Sequence, residues 1–344
     1  MIKLMGIAAT DARQWTSARA RTGFRAISTR AFGRTGLSLL RIVYGSVILG
    51  MLLVNYGVRD EVWGPSGLFL WDEFVRQLGD NRSFSLYALS NSVVASEVIY
   101  HALIVVALLF VLGWRTRVVT PLLWLLVWSW YERNPYVMDG GDNLLRIVLV
   151  YLIFADVSAR FSLDARRKAR RSPARARTEI REIRGAVASV FHNAALAATV
   201  FQISVVYLAA GMYKVQGERW QEGTALYYIL RVAEYTPWPE LSRLVYENGL
   251  LVTVMTYVTV FFQVAFPLLL LNRVTRLLGF MSAFGMHLGI AVLMGLPFFS
   301  LIMLATDLVL ISDREYGTVR RAWASVRDRT RMPSVGLPAV EVRP

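Results

Sequence analysis

Eight apolar runs, each cut from the next by charges, glycines or prolines, leave this chain few ways to fold. They fall at about Gly36–Tyr56, Val93–Leu112, Val118–Tyr131, Leu144–Val157, Ala188–Met212, Leu250–Leu271, Leu277–Gly295 and Phe298–Ile311. In hydrocarbon every backbone N–H and C=O must be bonded within the protein, so apolar runs of this kind become helices. The runs predict an all-α integral membrane protein, a polytopic bundle of about eight transmembrane helices. A mean hydropathy of +0.44 with 55% hydrophobic residues agrees with membrane burial.

The net charge of +14 sits between and outside the runs rather than along a base-reading face, so no nucleic-acid partner is expected. The arginine-rich arm at 1–34, the turns at 113–117 and 272–276, and the tail from 313 are all basic. The connector at 159–184 joins them, with ten Arg or Lys against three acids. The alternate loops are neutral or acidic, which by the positive-inside rule places both termini in the cytoplasm. The expected organisation is a basic cytoplasmic arm (1–34), a transmembrane domain (35–312) with a basic cytoplasmic loop at 159–187, and a poorly ordered cytoplasmic tail (313–344). The arm fits an amphipathic segment on the inner leaflet or a mitochondrial targeting peptide, and not a secretory signal. Arg41, near the start of the first run, is expected to snorkel to the inner surface. Trp63, Trp71, Trp128 and Trp130 are expected at the interfaces.

There is no cysteine and there are three scattered histidines, which excludes thiolate chemistry and leaves no metal-ligand spacing. The most informative stretch is Tyr207–Gly223, where an apolar run gives way to a polar loop bearing Trp220. Tyr207, Gly211 and Lys214 share one helical face at i, i+4, i+7. Ala209, Ala210 and Gly211 keep that turn slim enough for another backbone to approach. Lys214 is therefore either a membrane-surface anchor or a functional amine.

Other polar positions are candidates beside their structural readings. Glu97 and His101, at i, i+4, form either a packed polar pair or a proton relay. Asp139 and Asp142 form either a cation-binding turn or a helix cap. Pro121 is expected in a first helical turn, and Pro267 frees the carbonyl of Gln263. Gly285 and Gly289 propose a helix-packing seam. His287 lies nearly opposite that seam, and a histidine at such depth must face protein.

Two blocks carry a family resemblance. Ala210-Gly-Met-Tyr-Lys-Val-Gln-Gly-Glu-Arg-Trp220 with Glu222-Gly-Thr-Ala-Leu-Tyr227, and Met286-His-Leu-Gly-Ile-Ala through Ala305, resemble segments of vitamin K-dependent gamma-carboxylases and their bacterial relatives. These are the horizontally transferred transmembrane (HTTM) domain family. The resemblance spans roughly 35–312 and implies a multi-pass protein of the bacterial plasma membrane. It implies Lys214 as base toward a reduced quinone of the vitamin K or menaquinol type, in a carboxylase or lyase-like reaction. His287 matches a histidine of the second block. Tyr207, Tyr213, Trp220, Glu97, His101, Asp139 and Asp142 are the accompanying candidates for substrate or cofactor binding, and no metal is implied.

The chain also departs from the carboxylases. Tyr213 stands where they carry a second lysine, Asp139-Gly-Gly-Asp-Asn143 replaces an asparagine–histidine pair, and no counterpart of the large β-rich domain is expected. Three readings therefore stand. One is a quinol-coupled enzyme. Another is a factor for maturation or export of a secreted (antimicrobial) peptide of the sporulation-delaying-toxin B type, with that peptide or an accessory membrane or periplasmic protein as partner. The third is a transporter or structural membrane protein.

Overall fold

The computed structural model describes residues 25–170 and 179–330, and every regular element among them is helical. The arginine-rich arm through residue 24, the middle of the basic connector and the tail beyond residue 330 lie outside the described residues. The principal helices are α1 (Arg34–Val54), α2 (Val93–Leu112), α3 (Thr116–Arg133), α4 (Gly140–Phe154) and α5 (Glu179–Val215). They are followed by α6 (Gly249–Leu269), α7 (Arg273–Leu293), α8 (Pro297–Asp307) and α9 (Asp313–Thr330).

Five of these, α1, α2, α5, α6 and α7, are long and apolar enough to cross a membrane. The remaining three runs became the shorter or more polar helices α3, α4 and α8. At 1.5 Å per residue the 15 residues of α4 reach only about 22 Å, short of a hydrocarbon core. Of these, α3 packs against α2 and α4, and α4 packs against α3, α5 and α8. The shortest, α8, touches α1, α4, α5 and α7 and buries Ser300, Ile302, Met303, Ala305, Thr306 and Asp307.

Arg41 corrects the sequence reading most sharply. It does not snorkel but is fully buried, donating to the carbonyls of Phe110, Val111, Val157 and Phe161. The last carbonyls of a helix have no intrahelical partner, so a cation at the end of α2 satisfies them. The same logic recurs nearby. Asp164 accepts from the N–H groups of Arg115 and Thr116, capping α3 (3.0 and 2.9 Å). Buried His192 accepts from the Asp156 N–H at 3.0 Å and donates to the Phe32 carbonyl at 2.7 Å.

Other expectations need smaller corrections. Because α3 begins at Thr116, Pro121 sits in its second turn. Trp63 and Trp130 are not interfacial but buried against one another, with ring centroids 5.0 Å apart. A Cβ at Gly285 or Gly289 would meet nothing within 4 Å, so those glycines form no seam. The buried face of α7 is instead Gly279, Ala283 and His287. Small-residue spacing marks a face but does not say which face is covered. The stretch 224–235 forms the short helix Ala225–Ile229 and a turn at Ala233–Tyr235.

Gly211 marks the closest approach of α5 to α6. A Cβ there would lie 2.9 Å from the backbone nitrogen of Val264. Backbone cannot step aside, so Gly211→Ala should destabilise by about 1–3 kcal/mol, read as a lower melting temperature in detergent.

The segment after α8 is ordered rather than a loose tail. Asp313 accepts from the Thr35 N–H at 2.8 Å and from the Arg34 N–H at 3.1 Å, at the start of α1. Glu315 accepts from Arg273 at 2.9 Å and Arg276 at 3.0 Å, at the start of α7. Burial opposes the Glu315 charge, but hydrogen bonds from Ser312 and the two guanidinia outweigh it and hold its pKa down to about 2. A depressed carboxylate stabilises above its ordinary value of 4.5 and loses that contribution as pH falls toward 2. The melting temperature in detergent should therefore fall as pH drops from 4.5 toward 2, and Glu315→Gln should lower it already at neutral pH and weaken that dependence.

Candidate functional site

Tyr207 lies on the face of α5 that α6, α7 and α8 enclose. Its hydroxyl donates to Asp307 Oδ2 at 2.7 Å and lies 3.0 Å from His287 Nε2. A phenol has one proton, and here it goes to the carboxylate. With that carboxylate ionised, His287 Nε2 is the donor to Tyr207 and Nδ1 is left as an acceptor. All three side chains are almost completely buried, in a cage of aromatic rings. Phe266 and Phe262 stand 4.1 and 5.5 Å from the Tyr207 ring, and Phe299 stands 5.7 Å from His287.

The network is not closed. His287 Nδ1, Asp307 Oδ1 and Gln263 Oε1 are buried without a protein partner among the described residues. Gln263 adjoins the centre, its amide nitrogen lying 3.7 Å from the sulfur of Met286. With Nδ1 unprotonated, all three atoms are acceptors. Leaving such groups unpaired in a low-dielectric interior is costly, so a hydrogen-bond donor would be bound favourably there.

Two turns beyond Tyr207 on the same face stands Lys214, half-buried at the end of α5. Its ammonium donates to the Ala210 carbonyl at 3.4 Å and sits 5.1 Å from the centroid of the Trp220 ring. It forms no ion pair with a carboxylate among the described residues. Tyr213 is exposed and points away from this face. No hydrogen bond joins Lys214 to His287; they are related through α5 and Tyr207. An open apolar groove of about 700 Å³ runs beside the same helix, lined by Phe32, Leu196, Val200, Phe201, Leu208 and Pro267 among others.

The family model of the HTTM domain matches residues 30–314, which takes in α1 to α8 and both of these sites. The chain belongs to the HTTM domain family. No curated protein and no solved structure matches it.

Within this HTTM domain the other candidates separate. Asp139 and Asp142 form a capping box at the start of α4, and Tyr131 donates to Asp142 at 2.6 Å. Their oxygens are taken up by backbone and phenol rather than turned to a cavity. Glu97 pairs with Arg59 at 3.0 Å and lies 3.3 Å from His101, whose ring also meets the Tyr56 hydroxyl at 2.9 Å. That cluster is partly exposed and separate from Tyr207. Sequence reasoning missed Asp307. Its signal was present as a lone acid inside the apolar run Phe298–Ile311, an ionisable group at membrane depth.

Proposed function

We propose that this HTTM protein is a membrane-embedded acid–base enzyme that works on a reduced quinone, with Lys214 as the base. The observation that supports this reading best is a half-buried amine without a carboxylate partner, on the same helical face as a buried, acceptor-rich centre. Lysine is an effective base when its surroundings favour the neutral amine, and a carboxylate nearby would oppose that. The Ala210 carbonyl and the Trp220 face then hold the ammonium formed when the amine takes a proton.

The quinone is tested against the chain by the groove beside α5, whose apolar walls and volume suit an isoprenoid tail. Phe32, Leu196, Val200 and Leu208 would hold that tail, with Lys214 beyond the end of the groove. When bound, a reduced quinone supplies the reducing equivalents that, with oxygen, make a base strong enough for a carbon-bound proton. Tyr207, His287 and Asp307 keep α5, α7 and α8 in register around the amine. A second reading, a peptide-maturation factor, is favoured by the loop before α4. Asp139 and Asp142 serve there as helix caps, where the resembled carboxylases carry a histidine.

On this reading the chemistry lies on the extracytoplasmic side, with eight membrane-inserted helices and both termini cytoplasmic. Reporter fusions after residues 80, 140 and 235 should read outside, and fusions after 170 and 325 should read cytoplasm. A single reversed reporter would move Lys214 relative to the proposed face.

A further inference from the structure

The helix α9 follows the bundle without being covered by it. Val319, Trp323 and Val326, at i, i+4, i+7, form one apolar stripe, and they are 67%, 73% and 54% exposed. Arg314, Arg320 and Arg321 are exposed on the same helix. An exposed tryptophan between two valines would not be left in water on a helix that is otherwise polar.

Its first turn fixes where this stripe stands. Asp313 is bonded to the first residues of α1, and Glu315 to Arg273 and Arg276 in the first turn of α7. Both α1 and α7 are long enough to cross a membrane, and both begin at this end. The helix α9 therefore starts at the level of the bilayer surface. The Tyr316 hydroxyl donates back to the Leu308 carbonyl at 2.9 Å, which ties this first turn to the end of α8.

We infer that α9 lies in the plane of the bilayer, with Val319, Trp323 and Val326 in the acyl boundary and its arginines on anionic lipid headgroups. Three features carry the assignment. The stripe has the helical period of an interfacial helix, Arg320 on its flank carries charge that anionic headgroups attract, and its start is anchored at the membrane face. The other sources of cover for an apolar stripe, a second copy of the chain or a soluble protein, lack this last feature.

The chain has no cysteine, so single cysteines report on α9 without background. Spin labels at positions 318 to 326 are introduced one at a time into the full-length protein, reconstituted in vesicles of phosphatidylcholine with and without 30% phosphatidylglycerol. Collision rates with oxygen and with a water-soluble nickel complex then give the depth of each label. Labels at 319, 323 and 326 should be oxygen-accessible and shielded from nickel, and those at 318, 321 and 325 the reverse. Substituting Arg320→Gln and Arg321→Gln should reduce the shielding at 323 several-fold in the anionic vesicles and little in neutral ones. Uniform exposure to nickel at all positions would overturn the inference. So would shielding that is independent of lipid charge and disappears when the protein is diluted among vesicles, because that behaviour belongs to a contact between copies. The result is independent of quinone chemistry.

Discussion

Lys214→Arg should abolish turnover, by about 10² or more, while the protein accumulates in the membrane at the wild-type level. Arginine keeps the positive charge, the reach to the Ala210 carbonyl and the contact with Trp220. What it cannot do is release its proton at physiological pH. An anchor would survive the exchange and a base would not. Methionine is a poorer test, because it removes charge and anchoring together. The measurement is the activity of purified protein alongside its abundance in membranes. Full activity in Lys214→Arg would leave the peptide-maturation reading in front.

The second large effect is expected at Tyr207, and here stability and activity should separate. In Tyr207→Phe the His287 Nε2 proton and Asp307 Oδ2 both lose their partner. Each buried polar group left unpaired costs about 1–3 kcal/mol, so the single substitution should be strongly destabilising. Replacing the carboxylate as well, in Tyr207→Phe/Asp307→Leu, removes one orphan and should recover part of the loss. Thermal unfolding in detergent would show the double variant more stable than Tyr207→Phe alone. Activity should stay lost in both. If the two substitutions simply add, the three groups do not act as one network.

The membrane class was legible in the apolar runs, because hydrocarbon tolerates only segments that satisfy their own backbone. Gly211 was legible for a related reason. It lies in a small-residue turn on the face of Tyr207 and Lys214, and α6 does approach there. His287 was also placed correctly toward protein, although the argument for it through Gly285 and Gly289 was not. Helical periodicity gives faces, but it does not say which face has a neighbour.

Arg41 and Asp307 show the other limit. Both are ionisable groups in apolar runs, and for Arg41 the sequence offers an inexpensive exit to the surface. Their actual partners come from distant segments. Arg41 meets carbonyls of α2 and of the loop after α4, and Asp307 meets Tyr207, 100 residues away. Such pairings depend on how helices assemble, and no local pattern encodes them. The three shorter helices were counted from hydropathy alone, which does not distinguish a full span from a segment lodged between spans.

The central claim is that Lys214 acts as a base on a reduced quinone, and quinol oxidation by the reconstituted protein tests it most directly. Purified protein in vesicles loaded with menaquinol should consume the quinol in air faster than protein-free vesicles do, and Lys214→Arg should fall to the protein-free rate. Wild-type protein that leaves the quinol untouched, or a Lys214→Arg variant that oxidises it at the wild-type rate, would contradict the account.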